Sequence, residues 1–340
     1  MNRSLKKTLI WSAAGLGTVF AARAVTRRIR AISLAGKVVV VTGGSRGLGL
    51  VLARELASQG ARLALCARDA DELERARREL VDELGAEVLA SPCDVTAPDQ
   101  VEGCIRAVLA RYGRIDVLIN NAGVIMAGPY EHMTAEDYEL ALATHFWGPY
   151  HMITAALPEL RSSGGRIVNI ASVGGKVSVP HLLPYCASKF ALVGFSEGLR
   201  AELAKDGVLV TTVAPGLMRT GSPRNAFFKG KHRREYALAS LSASLPLLSI
   251  AAESAAGKIV DACRHGDAEL TISAPAKLLA RFQGLFPGVT ADLFGLVDRI
   301  LPGRGGVGSR TIRGADSASA LAPSWITALG DEAAVRNNEM

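Results

Sequence analysis

Two polar side chains, Tyr185 and Lys189, stand four residues apart in Tyr185-Cys186-Ala187-Ser188-Lys189. On a helix that spacing puts both on one face. A phenol near its usual pKa of ~10 is a good acid and a poor base at neutral pH. A nearby ammonium stabilises the phenolate and lowers that pKa. The pair is suited to moving a proton to or from an oxygen, the step that must accompany hydride transfer between a carbonyl and an alcohol. Ser172 closes the apolar run Ile167–Ala171, thirteen residues before Tyr185, and adds a hydroxyl. A bare Tyr-x-x-x-Lys is common by chance, so its meaning depends on what surrounds it.

A glycine-rich segment supplies the first context. Thr42-Gly43-Gly44-Ser45-Arg46-Gly47-Leu48-Gly49 follows the β-branched run Val38–Thr42 and opens a helical stretch. Gly43 permits a sharp turn, and Gly47 and Gly49 let backbone and helix approach a diphosphate. The helix N-terminus then offers unpaired N–H groups and a positive dipole to the anion.

The elements that must position these groups alternate. Strands are expected over Val38–Thr42, Arg62–Ala67, Glu87–Ser91, Ile115–Ile119, Arg166–Ala171 and Val208–Val213. Helices are expected over Leu48–Gln59, Asp71–Leu84, Pro98–Tyr112, Ala135–Leu157 and Tyr185–Lys205. A helix over Glu253–His265 and a short strand over Leu270–Ser273 follow. Such alternation implies an α/β fold, a Rossmann-type doubly wound parallel sheet of about seven strands with helices on both faces. The domain reading is a basic, apolar segment 1–35, a dinucleotide-binding catalytic domain 36–275, an apolar extension 276–302 and a disordered tail 303–340. Arg219–Arg234, rich in Gly, Pro, Lys and Arg, reads as a mobile loop.

The spacing Thr-Gly-x-x-x-Gly-x-Gly, the Asn120-Asn121-Ala122-Gly123 tetrapeptide and the Ser172, Tyr185, Lys189 set occur in the order in which the short-chain dehydrogenase/reductase family carries them. The chain resembles the common, non-extended branch of that family over roughly residues 36–270. The resemblance implies that Tyr185 is general acid for reduction and general base for oxidation. It further implies that Lys189 tunes Tyr185 and holds the nicotinamide ribose, and that Ser172 bonds the substrate oxygen. Cofactor contacts are implied for Thr42, Gly43, Ser45, Arg46, Gly47, Leu48 and Gly49. The same holds for Asp94-Val95 at the adenine, for Asn121, Ala122 and Gly123, and for Pro215, Gly216 and Thr220 at the nicotinamide end. Phe227, Phe228 and Tyr236 would belong to a substrate lid. One position departs from the family: His145, in His145-Phe146-Trp147-Gly148, stands where an Asn is expected. A neutral His offers one donor and one acceptor, so either a working relay or a merely structural ring is open.

Cofactor choice turns on the end of the second strand. NAD enzymes place an acid there to hold the ribose hydroxyls. Here Ala67 takes that place and Arg68 follows, with Arg46 in the glycine loop. Two guanidinium groups suit a 2′-phosphate, so NADP(H) is expected. Asp69 lies one residue too far on.

Charge and cysteines narrow the rest. The chain carries a net charge of +7. Residues 1–37 hold eight Lys/Arg and no acid, leaving 31 basic against 32 acidic residues elsewhere, or −1. The body is therefore near neutral, which argues against nucleic-acid binding. The five cysteines show no metal spacing and read as reduced thiols, with no metal site expected. Leu9 to Ala22 is uncharged and basic-flanked, shorter than the ~20 residues of a spanning helix. It reads as an anchor, a signal or an interfacial helix. The arginines behind it resist translocation, so membrane association with the catalytic body on the cytoplasmic side is expected. Ala276–Leu301 is apolar and reads either as packing against the core or a second copy, or as membrane contact. Together these features suggest a lipophilic carbonyl or alcohol substrate and leave a homo-oligomer open. The second class of function is a catalytically weak NADP-binding sensor or scaffold.

Overall fold

The run Val38–Thr42 forms β1, and all five residues are buried. Alternate side chains feed opposite layers: Val39 and Val41 join one apolar cluster, Val38 and Val40 the other. A strand covered on both faces must lie inside a sheet. In this computed structural model, which describes Thr18 and residues 21–340, it does. The central sheet has the order β11-β7-β6-β4-β1-β2-β3, built from Glu269–Ile272, Leu209–Pro215, Arg166–Ile170, Val117–Asn120, β1, Arg62–Ala67 and Val88–Pro92. Its neighbours pair in parallel throughout, with Val39 opposite Leu63 on one side and Val117 on the other. The expected α/β, doubly wound sheet is the observed one.

Helices cover both faces. A first helix, α1, runs through residues 21–29. Next come α2 (Gly47–Ser58), α3 (Ala70–Leu84) and α4 (Pro98–Tyr112). Leu50, Leu56, Leu73 and Ile259 fill one layer, and Val101, Ile105, Met152 and Leu203 the other. Strand order reverses at β1, so the loops after β1 and β4 diverge and open a crevice at the carboxyl ends of the strands.

The expected helix Ala135–Leu157 runs longer and is interrupted. It consists of α5 (Ala135–Leu142), a π-helical turn (Ala143–Trp147) and α6 (Gly148–Ser163). Such bulges often mark functional sites, and this one carries His145. The helix α7 (Leu183–Leu203) holds Tyr185 and Lys189.

Three expectations are corrected. Arg219–Arg234 is not a loose loop. It takes in the end of β8 (Leu217–Arg219), which pairs with β10 (Ser249–Ala251), then a 3-10 turn, β9 (Phe227–Phe228) and the start of α8 (His232–Ser244). Phe228 and Tyr236 are almost wholly buried, their ring centroids 5.7 Å apart. Buried Lys229 pairs with buried Asp137 at 2.5 Å. Phe228 and Tyr236 are therefore core residues rather than a substrate face, whereas Phe227 lines the cleft. Second, the tail 303–340 is folded. Ile312–Arg313 (β12) pairs with β9, which also pairs with Met126–Ala127 (β5). Ala328–Arg336 forms a further helix, α12, following α9 (Ala252–His265), α10 (Ala274–Leu285) and α11 (Pro287–Asp298). A low-hydrophobicity composition still orders when small residues are buried, here Ala322 beside Phe228 and Tyr236, Ala334 against Gly221, and Ala333. Third, of the readings open for Ala276–Leu301, packing into this chain's own core is slight: Ala276 and Thr290 are the buried residues of α10 and α11.

The apolar run Leu9–Ala22 lies outside the described residues except for Thr18, Ala21 and Ala22. Within the basic arm, Arg27 pairs with Asp267 at 3.0 Å and with Asp261, tying α1 to the end of α9. Among the described residues no helix is long and apolar enough to cross a membrane.

Candidate active site

The crevice is a cleft of about 740 Å³. Its floor is the glycine loop. Gly43 and Gly47 have φ of 62° and 55°, which side chains rarely adopt. A Cβ on Gly49 would lie 1.9 Å from the Gly43 carbonyl oxygen, so only glycine permits the helix to come this close. Asn121 holds the loop from across the cleft: its Nδ2 donates to the carbonyls of Thr42 and Gly43 at 3.0 and 3.1 Å. The Thr42 hydroxyl accepts from the N–H groups of Asn121 and Ala122. Leu48 is buried beneath the loop, and Ser45, also buried, donates to Glu72 at 3.2 Å.

The rim differs from the sequence reading in detail. Arg68 is exposed and lines the cleft. Arg46 is instead engaged, at 3.3 Å from Glu72 and 2.8 Å from Glu339. Asp69 caps α3 by accepting from the N–H groups of Asp71 and Glu72, so its carboxylate is committed. Asp94 also makes a turn cap, accepting from the Thr96 N–H and hydroxyl at 2.9 and 2.8 Å, while facing the cleft beside Val95. At the far end Pro215 closes β7. A Cβ on Gly216 would meet Ser273 Oγ at 2.7 Å, and buried Thr220 accepts from the Ser222 N–H at 3.2 Å. Every sequence-named cofactor residue except Thr42 and Gly49 lines this one cleft, and those two are packed directly behind its floor.

Ser172, Tyr185 and Lys189 converge on the same cleft. The Ser172 Oγ accepts from the Gly174 N–H at 3.0 Å, which fixes its rotamer. A hydrogen bond with Ser172 favours the Tyr185 phenolate, but burial outweighs it and pushes the phenol up to about 12. Burial also brings Lys189 down to about 7. Its Nζ lies 5.7 Å from the Tyr185 ring centroid and donates to the Ile170 carbonyl at 2.8 Å. Desolvation of both groups thus outweighs any lowering of the phenol's pKa by the neighbouring ammonium. Tyr185 is therefore held protonated near neutral pH.

A family model described as short chain dehydrogenase matches residues 37–228. A Mycobacterium tuberculosis protein named as an oxidoreductase, SadH, is 36% identical over 258 residues, covering 74% of this chain and 92% of that protein. The chain belongs to the short-chain dehydrogenase family. The 11-beta-hydroxysteroid dehydrogenase 1A of Arabidopsis thaliana is 39% identical over 203 residues, 58% of this chain and 57% of that one. Among solved structures, a short-chain dehydrogenase from Streptomyces avermitilis superposes with a TM-score of 0.66 at 30% identity, covering 79% of this chain and 99% of that one. L-sorbose reductase from Gluconobacter frateurii, solved with NADPH and L-sorbose, gives 0.63 at 25% identity, with coverage of 71% and 97%.

This short-chain dehydrogenase is an NAD(P)-dependent oxidoreductase acting on CH–OH or carbonyl groups. Its departure at His145 has a definite geometry. The Val124 N–H donates to Nε2 at 3.1 Å, and Nδ1 lies 2.8 Å from Ser188 Oγ, which itself donates to the Tyr185 carbonyl. The ring stands edge-on to Tyr185, centroids 5.4 Å apart. Burial and the Lys189 charge hold its pKa well below the ordinary histidine value, so the ring is neutral. Sequence reading missed the buried polar relay behind the site. Asn120 donates to Asn169, Asn169 to Ser196, and Thr212 to Ser196. Polar residues within apolar strand runs were the available signal.

Proposed function

We propose that the protein interconverts a lipophilic carbonyl and its alcohol with NADP(H), through Tyr185, Lys189 and Ser172. The observation that carries this reading is the convergence of those three side chains and the glycine loop on one cleft. The cofactor fits the residues present. The loop brings backbone close only because Gly43, Gly47 and Gly49 lack side chains. The rim carries Ala67 and Arg68 where a ribose-binding acid would stand, and Asp69 is occupied as a helix cap. When bound, NADP(H) supplies or accepts the hydride. Arg68 and Arg46 would hold the 2′-phosphate, and Asn121, Ala122 and Gly123 the opposite wall. Tyr185 delivers the proton to the substrate oxygen, Ser172 hydrogen-bonds that oxygen, and Lys189 would hold the nicotinamide ribose.

The substrate class follows from the lining. Val124, Ile125, Met218 and Phe227 line the same cleft as Tyr185 and add apolar surface to it. Attachment to a membrane surface extends the same reading. Leu278, Leu285, Phe286, Leu293, Leu296 and Ile300 are exposed on or just past α10 and α11, an unusual concentration for a surface. The test is NADPH oxidation against aldehydes and ketones graded by chain length, with Tyr185→Phe and NADH as controls. Activity that rises with chain length and requires Tyr185 supports the proposal; activity confined to short polar carbonyls removes the lipophilic substrate.

A further inference from the structure

The glycine loop already has an occupant. Asn337, wholly buried, accepts from the Gly47 N–H through its carbonyl at 2.8 Å. That N–H belongs to the first residue of α2, one of the donors an anion at a helix N-terminus uses. Asn337 is fixed by Arg54, which donates to its side chain at 3.0 Å, and its own amide donates to the Thr220 carbonyl at 3.3 Å. Asn338 Nδ2 donates to the carbonyls of Ser45 and Glu72 at 2.9 and 3.2 Å. Glu339 is buried, and its carboxylate accepts from Arg46 at 2.8 Å and from Asn225 at 2.5 Å. A Cβ built on Gly47 would lie 2.5 Å from Glu339 Oε1, so the carboxylate fills the space that the glycine leaves open. One short segment therefore touches both ends of the proposed dinucleotide site, at Arg46–Gly47 and at Thr220.

We infer that Asn337–Glu339 is a tethered anion that docks on the phosphate loop of the free protein and must be displaced for the dinucleotide to bind. The inference rests on the reading of the cleft as the NADP(H) site. The chemistry is substitution of like for like: a carbonyl and a carboxylate hold the N–H and guanidinium groups that phosphate oxygens would take. The docked state is displaceable for a physical reason. Glu339 is buried at the cost of its hydration, and it shares Arg46 with Glu72, a second carboxylate 3.3 Å from that guanidinium. A ligand with several phosphate charges and no tether outcompetes one carboxylate once its concentration is sufficient. The apparent affinity for the cofactor is then lowered by the fraction of protein with the segment undocked.

The experiment is a titration of NADPH into the full chain, a chain stopped after Arg336, and Glu339→Gln, together with hydrogen exchange of the full chain. Removing the segment is expected to tighten NADPH binding on the order of tenfold. Glu339→Gln should tighten it by a smaller factor, and kcat at saturating NADPH should be unchanged in both. In the full chain, amides of residues 328–339 are expected to exchange faster when NADPH saturates the protein. Equal or weaker NADPH binding by the shortened chain and by Glu339→Gln overturns the inference, as does protection of 328–339 that rises with NADPH. Should the shortened chain fail to fold, Glu339→Gln and the exchange data decide. NADPH binding by none of the three forms would sink the cofactor reading itself, and this inference with it; binding that is tightest in the full chain would sink the inference alone.

Discussion

His145 Nε2 accepts the Val124 N–H at 3.1 Å, joining the π-helical turn to the loop that follows β4. Both ring nitrogens are engaged, since Nδ1 meets Ser188 Oγ at 2.8 Å, so the ring has no free donor or acceptor for a proton. On this geometry His145 is expected to act as a positioning residue that holds the Tyr185 segment against the Val124 loop. His145→Asn can still accept from Val124 and is expected to keep kcat/KM within a few-fold. His145→Ala removes the acceptor of the part-buried Val124 N–H and the ring that packs on Tyr185, at a cost of ~1–3 kcal/mol, so kcat/KM is expected to fall about tenfold to a hundredfold. The shape of its pH profile should stay unchanged. A profile that shifts in His145→Asn would restore a relay role.

Tyr185 is expected to matter to chemistry rather than to binding. Its phenol is buried and pushed up to about 12, so it remains a donor across the working range. General acid catalysis contributes roughly 10²–10⁴-fold. Tyr185→Phe is expected to lose about that factor in kcat while NADPH affinity changes little, because the ring still packs on His145. Equal loss in cofactor affinity, measured by fluorescence titration, would show a structural role instead.

The sheet and the glycine loop were legible because their constraints are local. A β-branched run, a turn that only glycine makes and a four-residue helical spacing are each written within a few positions. What escaped was long-range. Nothing near Glu339 announces Arg46, 293 residues away. The Gly/Ser/Ala-rich tail is ordered by distant partners: β12 pairs with β9, and α12 packs on Gly221, where a Cβ would lie 2.4 Å from Ala334 Cα. The pKa inversion was hidden for a similar reason. The Tyr-Lys spacing displays the charge that favours phenolate, whereas burial, which wins, depends on the whole fold.

Lys189 should leave a signature in stability. In the folded protein burial lowers its pKa from 10.5 to about 7. Between those values the unfolded chain binds a proton that the native state does not, so stability rises with pH across that window. Below about pH 7 both states are protonated and the cost of the buried charge is present in full. At ~1.4 kcal/mol per pKa unit, the rise attributable to Lys189 is on the order of a few kcal/mol. Denaturant unfolding of wild type and Lys189→Met, run from pH 6.5 to 9.5, should show the difference between them shrinking as pH rises. A difference constant over that range would mean that Lys189 is solvated and ordinarily charged.

Cofactor preference offers a prediction at the end of β2. Arg68 is exposed at the rim, whereas Arg46 is held by Glu72 and Glu339, so Arg68 is the guanidinium available to a 2′-phosphate without rearrangement. A charge-assisted hydrogen bond is worth about 1.5–3 kcal/mol. Arg68→Ala is therefore expected to lower kcat/KM for NADPH about tenfold to a hundredfold and leave NADH nearly unaffected. Ala67→Asp adds both an acid for the ribose hydroxyls and repulsion toward the 2′-phosphate. Combined with Arg68→Ala it should reverse the preference. Initial rates with each cofactor, at one saturating carbonyl concentration, separate the outcomes. A loss shared equally by NADPH and NADH would mean that the substitutions disturb the adenine pocket as a whole, and the 2′-phosphate would have to be held elsewhere.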